Sequence, residues 1–174
     1  MATRTKHSTA LDVCVNGLLI ALTLVATMFI NIRLPISVNG GLIHLGNVPL
    51  VVAAIVFGKR SGAIAGAFGM GLFDLLSGWT LWAPFTFVVR GAMGFIIGFI
   101  AGRKGGKSVW LNTVAVVIGC AVMVVGYYFT EAIIYGNIIT PVTSVPGNLV
   151  QAASAVVIGV PLATAMRAKL KLGR

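Results

Sequence analysis

The sequence predicts an all-α fold, a polytopic membrane protein of six transmembrane helices with both termini cytoplasmic. Three observations carry that prediction. The composition is 58% hydrophobic and only 9% charged, with 22 glycines and a mean hydropathy of +1.02. A water-soluble domain carries charge on roughly a quarter of its residues, so too little polar surface exists here to wrap a core in water. The apolar residues gather in runs near the ~20 residues that cross the hydrocarbon layer as a helix, which satisfies its own backbone there. Thirteen Lys and Arg stand against three Asp and Glu, for a net charge of +10. Nearly all of this charge sits in short connectors and at the termini, the pattern of charge retained on the cytoplasmic side. That placement removes nucleic-acid binding as its explanation.

The segments follow in order, within one domain over residues 1–174. The tail MATRTKHSTALD shows no small-residue cleavage site and reads as cytoplasmic. The spans are expected at about 11–30, 42–57, 61–77, 84–102, 109–135 and 146–166. Asp12 opens the first as a helix N-terminal acid. The second is short, and charge parity keeps it. With six crossings, Arg4, Lys6, Lys59, Arg60, Arg103, Lys104, Lys107, Arg167, Lys169, Lys171 and Arg174 share one side. Without it, the middle clusters face the wrong way. Only Arg33, in the first outer connector, and Arg90, inside the fourth span, remain.

Small residues recur at helical spacing: Ala10, Cys14, Gly17 and Ala21 in the first span; Gly62, Gly66 and Met70 in the third; Gly94, Gly98 and Gly102 in the fourth; Ala155, Gly159 and Ala163 in the sixth. Such rows let helix backbones approach closely. Packing inside the bundle explains most of them, and their excess leaves at least one row for a partner. Cys14 and Cys120 read as small packing residues, because no metal-type Cys spacing is present. The outer connectors are long, NIRLPISVNGG over 31–41 and GNIITPVTSV over 136–145, and the first suits a cover over an outward-facing site.

Ionisable residues inside spans are costly and mark candidate sites. They are Asp74, Arg90 and Glu131, and their distances from the span ends put all three near the outer face. Arg90 is about 9 Å in, at the helical rise. Asn148 and Gln151 reach a similar depth, with Tyr127 and Tyr128 within about two turns. His44 and Asn47 at the outer end of the second span, Asn39 in the outer loop, and Trp79 and Trp82 in the connector 78–83 complete the candidate substrate-binding set. The tryptophans also fit an interfacial aromatic belt. A dry Arg90–Glu131 bridge would gain little over apolar packing, so a wet, ligand-facing role is favoured over it. Trp and Tyr can stack on a ring while Asn, Gln and His read its edge, which suits a small planar heteroaromatic ligand. No catalytic motif, metal-ligand spacing or ATP-binding loop occurs, so an enzyme is not expected. The chain cannot power transport alone.

From Gly40 to Gly102 the run GGLIHLGNVPLVVAAIVFGKRSGAIAGAFGMGLFDLLSGWTLWAPFTFVVRGAMGFIIGFIAG resembles the substrate-binding S components of energy-coupling factor (ECF) vitamin transporters. The likeness is to the riboflavin-transporter-like branch that includes hydroxymethylpyrimidine- and pyridoxine-type members. It is carried by I-H-L-G-N, the Gly/Ala-rich run, DLLSG and P-F-T. Asn47 stands where the family pattern has Asp, so no negative charge is available there. The resemblance implies capture of a vitamin from outside, closure of the first outer loop, and docking on a membrane coupling (T) protein with two ATPase subunits that use ATP. It places the docking face at Gly17 and Ala21 with Cys14 beside them, implies no cofactor bound by this chain, and implies a bacterial cell membrane. Hydroxymethylpyrimidine or pyridoxine is preferred over riboflavin on the branch alone. A self-sufficient ion-coupled carrier using Asp74, Arg90 and Glu131 is the reading from another class.

Overall fold

The computed structural model describes residues 9–29, 31–33 and 42–170. Six helical segments follow one another in the expected order. They are α1 (Thr9–Phe29), α2 (Asn47–Val52) continued by a π-helical turn over Ala53–Phe57, α3 (Lys59–Leu76), α4 (Ala83–Ala101), α5 (Val109–Tyr135), and a last segment made up of α6 (Val145–Ser154), a π turn (Ala155–Gly159) and α7 (Val160–Lys169). Four stretches are long and apolar enough to cross a membrane: Ala10–Phe29, Ala83–Lys104, Val109–Tyr135 and Thr140–Lys169. The helix Asn47–Phe57 is shorter, and α3 carries Lys59, Arg60 and Asp74 within its 18 residues.

One expectation is corrected. The fold is not wholly helical. Asn31–Arg33 (β1) and Leu42–His44 (β2) form an antiparallel pair with Asn31 opposite His44, Ile32 opposite Ile43 and Arg33 opposite Leu42. Leu42–His44 are therefore strand rather than the start of the second span, and helix begins at Asn47. The last segment runs as helix from Val145 to Lys169 and carries a π turn at Ala155–Gly159. Pro161 has no N–H to give the preceding turn and its ring crowds the carbonyl four residues back, and the backbone widens into the π turn just before it.

The short α2 lies at the centre of the bundle. Leu50, Val51, Ala54 and Val56 are buried in one cluster with Met70, Met93, Ile97, Val116, Met123 and Val160, while Ala53 packs with Leu19 and Ala65. In lipid, helix association rests on close van der Waals packing rather than on expulsion of water, and the glycines supply it. A Cβ on Gly94 would stand 2.1 Å from the Gly62 carbonyl oxygen, one on Gly66 would stand 2.5 Å from the Arg90 carbonyl oxygen, and one on Gly98 would stand 2.5 Å from the Lys59 backbone. The rows of α3 and α4 thus face each other. Ala155, Gly159 and Ala163 are buried too. The row of α1 is different. Leu19, Thr23 and Thr27, one turn apart, turn inward, while Cys14, Gly17 and Ala21 face out of the bundle and nothing lies within 4 Å of a Cβ placed on Gly17. Gly58 makes the one-residue turn between the π turn and α3 at φ 96°, ψ 179°, a conformation that favours a residue without Cβ.

Candidate functional site

Arg90 is the hub of the polar groups inside the bundle. It sits two turns into α4, where Gly66 lets α3 pass against its backbone, and it is 2% exposed. Its Nε donates to the Tyr127 hydroxyl of α5 at 3.1 Å, Nη1 donates to Asn47 Oδ1 at the start of α2, and Nη2 donates to Gln151 Oε1 of α6 at 3.0 Å. Nη2 also lies 3.4 Å from His44 Nε2 on β2. The sulfurs of Met93 and Met123 line Nη1, and the guanidinium stacks on the Tyr127 ring at 4.9 Å, a cation–π contact. Every one of these partners is neutral. A buried charge needs pairing or hydrogen bonding, and each guanidinium nitrogen of Arg90 donates to one neutral oxygen.

Four elements converge on the guanidinium, and side chains brace them. Asn47 Nδ2 donates to the Gln151 backbone carbonyl at 3.3 Å, linking α2 to α6. Gln151 Nε2 donates to the Leu42 carbonyl at 2.6 Å, linking α6 to the hairpin. Tyr127 and Thr86 share a hydroxyl–hydroxyl bond at 3.0 Å, and Thr86 is hydrogen-bonded to Asp74 at the end of α3. A chain of polar groups therefore runs Asp74–Thr86–Tyr127–Arg90.

The predicted residues divide accordingly. His44, Asn47, Arg90, Tyr127 and Gln151 are brought together, and Asp74 joins them through Thr86. Asn148 is buried one turn before Gln151 on α6. Glu131 stands apart: one turn beyond Tyr127, it is hydrogen-bonded to Ser144, in the 3₁₀ turn Thr140–Ser144. It makes no bond to Arg90 among the described residues, so the Arg90–Glu131 bridge does not form and the three charges do not make one line. Tyr128 points to the connector between α5 and α6 and donates to the Ile138 carbonyl at 2.6 Å. Trp79 and Trp82 meet edge to face at 5.2 Å, and Trp82 leans on Tyr135 at 6.0 Å, forming an aromatic rim. Asn39 lies outside the described residues.

Sequence reasoning passed over Thr86, Met123 and Ser144. The first two had a signal: Thr86 precedes Arg90, and Met123 precedes Tyr127, by four residues on the same helical face. Ser144 had none, because the 3₁₀ turn that presents it reads as loop.

Comparison with known proteins bears on the whole chain. The family model described as the ECF-type riboflavin transporter, S component, matches residues 7–168. An uncharacterized protein of Pyrococcus woesei is 33% identical over 135 residues, which is 78% of this chain and 87% of that one. The thiamine precursor transporter HmpT of Lactococcus lactis subsp. cremoris is 31% identical over 116 residues, 67% of this chain and 64% of that protein. A solved structure, described as that of the S component of a bacterial ECF transporter, matches with a TM-score of 0.73 over 94% of this chain and 99% of that chain. At 20% identity it speaks for the fold alone.

Proposed function

This chain belongs to the family of ECF-type transporter S components described by the riboflavin transporter model, and from that premise we propose that it binds a small heteroaromatic vitamin or precursor, hydroxymethylpyrimidine first and pyridoxine next. A family member is a membrane-embedded, substrate-specific subunit of a vitamin transporter and not an enzyme. The observation that carries the choice of ligand site is Arg90: a buried guanidinium with only neutral partners, ringed by an imidazole, two amides and a phenol. These groups offer donors and acceptors in one plane-sized patch, and the Tyr127 ring adds a stacking face. The name of the HmpT relative, a thiamine precursor transporter, supports the pyrimidine over riboflavin.

Delivery depends on partners. A membrane coupling protein and two ATPase subunits take the loaded protein through its release cycle in the bacterial cell membrane, with ATP consumed in the partners. The outward row Cys14, Gly17 and Ala21 supports α1 as the docking face, since the glycine rows of α3 and α4 are consumed by packing against each other.

The test is a thermal-shift screen of the purified protein in detergent against hydroxymethylpyrimidine, pyridoxine, riboflavin and thiamine, with mass spectrometry of any retained compound. A shift with the pyrimidine at the lowest concentration is expected, and a shift with riboflavin alone overturns the choice of ligand. Uptake into liposomes holding only this protein, without ATPases, would favour the ion-coupled carrier instead.

A further inference from the structure

His44 has two donors competing for one lone pair. The Gly46 backbone N–H donates to its Nδ1 at 3.2 Å, and Arg90 Nη2 stands 3.4 Å from its Nε2. A neutral imidazole has one acceptor nitrogen and one N–H, so it cannot accept from both. Protonating the ring makes both nitrogens donors and adds a second positive charge beside a buried guanidinium, which the surroundings disfavour.

The Gly46 contact is the fixed one. Gly46 is wedged at the turn into α2: a Cβ there would stand 2.1 Å from Thr27 Oγ1 and 3.0 Å from the Met70 methyl. Its N–H faces the ring two residues earlier. With the Gly46 N–H held on Nδ1, the tautomer that satisfies this backbone donor carries its proton on Nε2. That N–H and the Arg90 Nη2 facing it are two donors directed at each other, and neither supplies an acceptor.

We propose that His44 Nε2–H and Arg90 Nη2 form a two-donor cradle for one acceptor atom of the ligand, a ring nitrogen or a hydroxyl or carbonyl oxygen, and that His44 thereby selects among heterocycles. The proposal rests on the vitamin-binding reading for its ligand, and it assigns His44 a specificity role through Nε2 rather than a part in the turn alone.

Two substitutions separate the ring nitrogens. An Asn side chain reaches about as far as Nδ1 and a Gln side chain about as far as Nε2. In the full chain in detergent, His44→Gln keeps hydroxymethylpyrimidine affinity within about threefold, while His44→Asn loses about tenfold, the scale of one buried hydrogen bond. Melting temperatures of the ligand-free variants control for folding. The reverse order, equal losses, or no loss in either variant overturns the proposal. A second measurement needs no ligand: ¹⁵N spectra of histidine-labelled protein should show His44 protonated on Nε2, and a proton on Nδ1 overturns the cradle. If the unmodified protein binds no hydroxymethylpyrimidine, the choice of vitamin fails, and the tautomer alone decides the cradle.

Discussion

Gln151 and Leu42 are joined by a 2.6 Å hydrogen bond from side-chain amide to backbone carbonyl, while the same amide accepts from Arg90 at 3.0 Å. One side chain on α6 thus ties the buried cation to strand β2. Whatever is done to Arg90 is felt by the hairpin in a single step.

Gln151→Leu keeps the volume but leaves an Arg90 N–H and the Leu42 carbonyl without partners. Each unsatisfied buried group costs about 1–3 kcal/mol. The expected result is a melting temperature lower by several degrees, together with faster hydrogen exchange over residues 42–46. Loss of stability without any change in that exchange would mean that the hairpin is held elsewhere.

Arg90→Met removes a charge that makes no ion pair among the described residues and leaves an apolar side chain among Met93 and Met123. It also leaves Asn47 Oδ1 and Gln151 Oε1 without their donors, at about 1–3 kcal/mol for each unsatisfied buried acceptor, so the variant should still fold but melt several degrees lower than the unmodified protein. Its affinity for hydroxymethylpyrimidine should fall by roughly tenfold or more, the scale of a hydrogen bond to a charged group. A titration in detergent measures this, and unchanged affinity would make Arg90 a structural hub only.

Two glycine substitutions should behave oppositely. Gly94→Ala drives a methyl into the Gly62 carbonyl, an overpacking expected to cost about 1–3 kcal/mol, seen as lower yield and a lower melting temperature. Gly17→Leu meets open space, so stability and ligand affinity should hold. A bulky side chain there blocks close helix approach, so co-purification with the coupling protein and ATPases should be lost. Assembly and uptake at normal levels would remove α1 as the docking face.

These contrasts also show what could be read from the sequence. Helix ends are marked by residues with a local mechanism: Gly136 ends α5 at φ 61°, and Ser108 caps its start by accepting from the Leu111 N–H. The depth of Arg90 follows from counting residues, and the polar company it keeps follows from composition. Which partner it takes does not. Tyr127 and Glu131 share one face of α5, a turn apart, and only the packing of α4 against α5 decides that the phenol meets Arg90 while the carboxylate meets Ser144. The three-residue strands are too short for a periodic signal. Pro161 did carry a signal for the π turn between α6 and α7, and a purely hydropathic reading of the last span passes over it.

Tyr127→Phe tests whether the chain Asp74–Thr86–Tyr127–Arg90 acts as a unit. The ring that stacks under the guanidinium at 4.9 Å is kept, but the hydroxyl that accepts from Arg90 Nε and pairs with Thr86 is removed. Arg90 Nε–H is left without an acceptor, at a cost of about 1–3 kcal/mol. Thr86→Val alone removes the link to Asp74 while leaving the Tyr127–Arg90 bond. If the groups form one network, the double variant should fall short of the sum of the singles by at least about 0.5 kcal/mol, measured by thermal or denaturant unfolding in detergent. Additive losses would mean that Asp74 and Arg90 are held independently, and that Asp74 has no route to the site through α4.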